Sequence, residues 1–207
     1  MTAAHSILMS DDSQEAAVLE IFKEAEALLE GHFILSSGRR SSVYLQCAKV
    51  LMQPRSAQAV VAAFTAKLEA AGLSGFDMVV SPAMGGVIVG YEVGRQLGIP
   101  SVFMERVDGK LTLRRGFEIK PGSRVLMMED IVTTGLSSRE CIDEIRACGG
   151  EVVAAGCLLN RSGGKAELDV PLVAAATIDA PTFSADELPD WLAAIPAVKP
   201  GSRGLKA

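Results

Sequence analysis

A chain of 207 residues is sized for one domain, with at most a small appended subdomain. Its 49% hydrophobic and 22% charged residues support a real core and exclude a disordered chain, and only 5% aromatics beside abundant Ala, Val, Gly and Leu suits helix-on-sheet packing better than a β-sandwich. The net charge of −5 excludes a general nucleic-acid binder, which would carry a basic footprint, so any phosphate ligand must be held by a local site.

Taken in chain order, apolar residues recur at helical spacing from Asp12 or Ser13 (Ala17, Leu19, Ile21, Phe22, Ala25, Leu28, Leu29), and Gly31 is the expected stop. The stretch GHFILSSGRRSSVYLQCAKV mixes short β-like pieces with a turn at Ser37-Gly38. A second helix is expected from Pro54 to Ala71, ended by Gly72. A strand–helix alternation follows: DMVVS as a buried strand, a helix from Gly86 to Leu97, then SVFM as a strand. Gly86, Gly90 and Gly94 are explained by close helix–sheet packing. The charged excursion ERVDGKLTLRRG has a hairpin turn signal at Asp108-Gly109 and reads as a flap over a site rather than a plain solvated ribbon. RVLMM, EVVAAGCLLN and PLVAAAT complete the strands, with a helix from Ser138 to Cys148 between the first two and a short helix near Trp191 in the tail. Apolar runs separated by helices of this length indicate an open, mainly parallel sheet covered on both faces.

Cys47, Cys141, Cys148 and Cys157 form no CxxC and no metal-like cluster with His5 or His32; they read as buried free thiols suited to a reducing cytosol. His32 reads as structural. The start MTAAHSILMSDD has no basic region followed by a long apolar core, and VIVGYEVGRQLG is short and broken by Glu92 and Arg95. A cytoplasmic protein with no membrane partner is expected.

The chemistry concentrates in RVLMMEDIVTTGLSSRE, residues 124–140. Val125 to Met128 read as a central strand with Glu129 and Asp130 at its carboxyl end, the edge where open α/β sheets bind ligands. Thr133-Thr134-Gly135-Leu136-Ser137 then turns into a helix, and Ser137 with Glu140 has the spacing of a capping box, placing Ser137 at the N-cap. Backbone amides, hydroxyls and the positive end of a helix dipole there form a nest for one phosphate. Two acids beside a phosphate cradle make sense for a ribose 5-phosphate: its hydroxyls can donate to them, and its ring turns cationic when the anomeric carbon loses a leaving group. The spacing matches neither a Walker A loop nor a dinucleotide fingerprint.

This segment resembles the signature of type I phosphoribosyltransferases, which bind phosphoribosyl diphosphate (PRPP): apolar strand, two acids, two variable residues, then T-T/A-G and a small polar residue. GHFILSSGRRSSVY, residues 31–44, resembles the amino-terminal block of orotate phosphoribosyltransferases, and further similarity lies in SPAMGGVIVGYEVGRQLG, ERVDGK, LLNRSGG and LAAIPAVKPGS. The resemblance implies the reaction orotate + PRPP ⇌ orotidine 5′-monophosphate + diphosphate, Mg²⁺ carried with PRPP, and a homodimer whose loop 105–116 is shared across the interface. It implies a flexible arm (1–12), an N-terminal hood segment (13–50), an α/β phosphoribosyltransferase core (51–185) and a C-terminal tail (186–207) joining the hood.

Carried over by position, Glu129 and Asp130 would hold the ribose hydroxyls, and Thr133, Thr134, Gly135, Leu136 and Ser137 the 5′-phosphate, with Ile131 and Val132 in the same PRPP-binding stretch. Arg106 and Lys110 match the loop's Arg-x-x-x-Lys and would meet the diphosphate, making Lys110, Asp130 and Glu129 the catalytic candidates. Arg161 would pair with orotate, and Thr133 would also touch it. No residue is assigned as a metal ligand. The chain departs from well-known members at Ser36 and Gly85, where they carry lysine, at Val107, where they carry a second basic residue, and at Thr112, where histidine is common. Arg39, Arg40, Arg114 and Arg115 are the available substitutes. Pro82-Ala83-Met84-Gly85-Gly86 is a candidate second anion loop. A purine phosphoribosyltransferase and a non-catalytic PRPP-sensing regulator are the alternatives; Arg161 and the GHFILSSG block argue against the first, and the lack of a basic helix-turn-helix against the second.

Overall fold

The structure, a computed structural model, describes residues 11–35 and 37–200. Of the arm expected over 1–12, residues 1–10 lie outside that range, as does Ser36. Helix α1 (Asp11–Glu24) closes sooner than expected: Glu26 takes a left-handed φ of +51°, Glu26 N donates to Lys23 O at 2.8 Å and Ala27 N to Phe22 O at 2.8 Å. This is a Schellman-type ending, so the stop is at Glu26 and not Gly31. Leu28 and Leu29 start strand β1 (Leu28–Ile34), which pairs antiparallel with β2 (Arg40–Leu45). Cross-strand pairing overrides a helical spacing that continues by coincidence. The turn at Ser37-Gly38 is present, with Gly38 N donating to Leu35 O at 2.9 Å.

A short helix α2 (Cys47–Leu51), unread in the sequence, precedes α3 (Pro54–Ala70), which opens on its proline as expected. Then follow β3 (Met78–Pro82), α4 (Gly85–Leu97), β4 (Ser101–Val107), β5 (Lys110–Leu113), β6 (Arg124–Val132), α5 (Leu136–Ala147), β7 (Glu151–Asn160) and β8 (Leu172–Thr177). They build a six-stranded sheet of order β5-β4-β3-β6-β7-β8, parallel throughout except for the β4–β5 hairpin. The expected mainly parallel α/β sheet is what forms.

Side-chain parity along β6 sorts the core. Leu126 and Met128 point to the face covered by α1, α3 and α4, with Phe22, Phe64 and Val89. Val125 and Met127 point to the face covered by α5, with Cys141, Ile142 and Ile145. These side chains are at most 2% exposed, and each contributes roughly 1.5–3 kcal/mol by burial. Gly90 and Gly94 let α4 lie on the sheet, since a Cβ on Gly90 would stand 2.2 Å from Ser81 Oγ. Among the described residues no helix is long and apolar enough to cross a membrane.

The chain's two ends meet in a second sheet of order β10-β1-β2-β9, where β9 (Thr182–Phe183) and β10 (Ala197–Val198) flank α6 (Asp190–Ala193) near the expected tail helix. His32 is structural in this sheet, its Nδ1 2.9 Å from Ile195 O. The two-residue strands carry no periodicity, which is why the sequence does not betray them.

Candidate active site

β6 runs to Val132, two residues past the acid pair, so Glu129 and Asp130 sit inside a paired strand rather than at its tip. Consecutive strand residues face opposite ways, and the two carboxylates part accordingly. Glu129, 8% exposed, turns to α5: Ser137 Oγ donates to its Oε1 at 2.6 Å, and Ser138 Oγ donates to its Oε2. Asp130 turns to the α4 side, where its Oδ1 accepts Ile131 N at 2.9 Å. Burial pushes both carboxyl groups above their ordinary pKa; the hydroxyls on Glu129 and the backbone amides on Asp130 offset only part of that.

Asp130 lies against Gly85, where a Cβ would come within 2.7 Å of both carboxylate oxygens. The glycine that replaces the family's lysine is therefore a close-packing partner of the acid. The peptide Ala83-Met84 just before it is cis. Cys47 Sγ contacts Asp130 O at 3.7 Å from behind. Cys47, Cys141 and Cys157 are buried free thiols as expected, while Cys148 is half-buried.

The capping box does not form. α5 begins at Leu136, its N-cap is Gly135 at φ +74°, and Ser137 spends its hydroxyl on Glu129 while Glu140 pairs with Arg106. A buried carboxylate is costlier to leave without donors than an exposed helix start, so Glu129 wins the hydroxyl. The loop still opens α5 with the amides of Leu136, Ser137 and Ser138 lacking an intrahelical acceptor, Leu136 N donating to Thr134 Oγ1 at 3.4 Å, and with Gly135 left-handed. Thr133 and Thr134 are exposed at its lip. Arg139 backs the loop, its Nη1 donating to Glu167 O at 3.0 Å and standing 3.1 Å from where a Gly135 Cβ would be. Nothing in the sequence signalled Arg139 or Ser138.

Arg161 follows β7, its amide donating to Val132 O at 2.8 Å, which sets it beside the end of β6. Its Nη2 donates to Ser41 Oγ at 3.0 Å, and its buried Nε has no partner. Burial pulls its pKa below the ordinary guanidinium value. Asn160 shapes this corner by accepting Ser162 N at 3.0 Å and Ser162 Oγ at 2.7 Å. Arg161 therefore joins the core sheet to the second sheet through Ser41, a link that sequence spacing could not reveal.

The flap is the β4–β5 ribbon, turned at Asp108 (φ +49°) and Gly109 (φ +83°) as its sequence indicated. Arg106 is engaged by Glu140 at 2.6 Å and by Gly109 O at 2.6 Å. Arg115 is forked onto Glu105 at 2.8 and 3.0 Å. Val107, in place of a basic residue, is at the exposed end of β4, and Thr112 only turns its hydroxyl to Lys110 O at 3.4 Å. Of the substitute arginines, Arg39 is tied to Thr182 at 2.6 and 2.8 Å, whereas Arg40 keeps buried Nε and Nη1 atoms with no partner.

A parallel sheet with two acids near the carboxyl end of its central strand, leading through a glycine loop into a helix, is the arrangement expected of the phosphoribosyl transferase class. In agreement, the family model described as the phosphoribosyl transferase domain matches residues 48–187. The chain is 54% identical over 200 residues to the orotate phosphoribosyltransferase of Sphingopyxis alaskensis, covering 96% of this chain and 100% of that one. It is 56% identical over 190 residues to the orotate phosphoribosyltransferase of Rhizorhabdus wittichii, covering 92% and 97%. The crystal structure of orotate phosphoribosyltransferase from Aeropyrum pernix superimposes with a TM-score of 0.65 at 29% identity, covering 78% of this chain and 93% of that one. The chain belongs to the orotate phosphoribosyltransferase family.

Proposed function

We propose that this chain transfers ribose 5-phosphate from PRPP to orotate, giving orotidine 5′-monophosphate and diphosphate. The observation that carries the reading is the meeting, at the carboxyl end of β6, of a half-buried acid, Asp130, with no cationic partner among the described residues and a loop whose amides open a helix. The 5′-phosphate occupies Thr133–Ser137, and the ribose lies over Asp130. Orotate lies toward Arg161, whose unpartnered Nε suits a carboxylate or carbonyl oxygen. Diphosphate departs ahead of full bonding to the orotate nitrogen, and no side chain acts as nucleophile. Asp130 stabilises the cationic ring, while Glu129, turned away from it toward α5, acts on the phosphate loop by holding Ser137 and Ser138. Lys110 meets the diphosphate.

Among the described residues no cluster of His, Cys, Asp and Glu could hold a metal by itself. A Mg²⁺ carried in on PRPP would take its ligands from the diphosphate and water. Such an ion neutralises charge on the leaving group.

The same reading divides the chain into a core over 51–185 and a hood made of 13–50 with the tail from 186, which the second sheet supports by drawing strands from both ends. It also makes the protein a homodimer sharing loop 105–116. Met84, Ile88 and Tyr91 support this: they lie along one side of α4 and its start and are 83%, 50% and 67% exposed, an apolar stripe that a second copy would cover. A cytosolic location accords with the free thiols.

The deciding experiment is diphosphate release on mixing the protein with PRPP and orotate, run beside adenine, guanine and xanthine. Release with orotate alone is expected. Release with a purine would indicate a purine enzyme, and PRPP binding without release from any base would indicate a regulator.

A further inference from the structure

Arg106 is the ribbon cation that is already occupied. Its Nη2 donates to Glu140 Oε2 at 2.6 Å and its Nη1 to Gly109 O at 2.6 Å. Both terminal nitrogens, the ones suited to fork onto phosphate oxygens, are thus engaged within the chain. Glu140 stands one turn into α5, the helix whose first residues build the anion loop. The ribbon does not depend on this pair for its place: Met104 and Leu111 are 0% and 5% exposed and share a core with Ile142 and Ile145. The pair itself is open to solvent, at 45% and 39% side-chain exposure, so it is cheap to break and to remake. Lys110, four residues on in the same ribbon, has no such clamp among the described residues.

Resting on the reading of this chain as a PRPP-dependent transferase, we propose that Glu140 is a positioning residue that parks Arg106 against α5 and competes with diphosphate for it. When PRPP enters the neighbouring subunit's site, which this ribbon serves, its 5′-phosphate fills the loop at the start of that subunit's α5. Its diphosphate, with more negative charge than one carboxylate, takes Arg106 from Glu140. When diphosphate leaves, Glu140 takes the guanidinium back, which favours release. Glu140 therefore lowers affinity for PRPP by holding Arg106 on its own chain between turnovers.

The test is calorimetric titration with PRPP of the full-length wild type, Glu140→Gln, Arg106→Ala and the double variant, with steady-state kinetics alongside. Glu140→Gln is expected to bind PRPP about two- to five-fold tighter, in keeping with the modest strength of exposed ion pairs. KM for PRPP should fall in step while kcat holds or falls, and orotate affinity should stay unchanged. In the Arg106→Ala background the same substitution should do nothing. A gain that persists without Arg106 would reflect only the removal of a negative charge, and no gain would mean that Arg106 is not shared; either overturns the competition. A wild-type chain that fails to bind PRPP overturns the functional reading and the competition with it, whereas normal wild-type binding with Glu140→Gln unaltered overturns the competition alone.

Discussion

The carboxyl end of β6 and the β4–β5 ribbon both carry charge, and they keep it in opposite ways. Glu129 is buried and Asp130 half-buried; neither has an ion-pair partner among the described residues, and desolvation pushes both up in pKa. Arg106 and Arg115 are exposed and paired with Glu140 and Glu105. A buried acid without a counter-charge is held at a cost that the fold must cover, and it is relieved when a cationic ring or a metal-bearing ligand arrives. An exposed pair holds little energy, so its partners can be exchanged at every turnover. In the proposed reaction the strand end is the fixed half of the site and the ribbon the exchangeable half.

The sharpest way to break this contrast is Asp130→Asn. Turnover should fall by roughly 10²–10³, the range for losing a preorganised group aimed at developing charge. Melting temperature should hold or rise, because a neutral amide at this position no longer carries the desolvation cost of an ion. A variant with full turnover would refute the role given to Asp130. Next in size is Gly85→Lys, which restores the residue common in well-known members. Its Cβ would stand 2.7 Å from both Asp130 oxygens, so the acid must move, and a fall in turnover of about ten-fold or more is expected. A rise in turnover would show instead that diphosphate charge, and not the placement of Asp130, limits this enzyme. Lys110→Ala should slow turnover by about ten-fold with little change in melting temperature. Mixing it with an Asp130→Asn chain should restore part of the activity if the ribbon serves the neighbouring subunit.

The smallest effect is on pH dependence. The raised carboxyl groups of Glu129 and Asp130 begin to protonate, as pH falls, above the ordinary carboxylate range. Turnover should drop in that window. Stability should not drop there on their account: a group whose folded pKa is raised stabilises the fold when protonated and loses that contribution as pH rises through the folded pKa. A pH profile of kcat recorded beside melting temperatures checks the sign, and joint loss of both in that window would point to general acid unfolding.

Much of the site could be read from residues 124–140, because a strand, two acids and a loop opening a helix are contiguous, and contiguous geometry follows from backbone rules. Backbone rules fail where two partners compete for one group. Ser137 has the spacing of a cap, yet Glu129 holds its hydroxyl; Glu140 completes the box on paper, yet Arg106 claims it. Helical spacing likewise ran on through Leu28 and Leu29, although β2 was there to pair with them. Local propensity states what a residue can do, and competition among neighbours in space decides what it does.

By itself, the sequence determined the parallel α/β architecture, since buried strands and amphipathic helices repeat with periods that such a sheet satisfies, and it determined the strand–loop–helix order of residues 124–140 and the hairpin at Asp108-Gly109, whose backbone demands are local. Tertiary structure alone decided that the two acids face opposite sides of β6, that Gly85 abuts Asp130, that Ser41 reaches Arg161 across a separation of 120 positions, and that the two ends of the chain share a sheet. These are contacts between residues far apart along the chain, fixed by packing and by the need to satisfy buried polar groups, and neither leaves a period in the sequence.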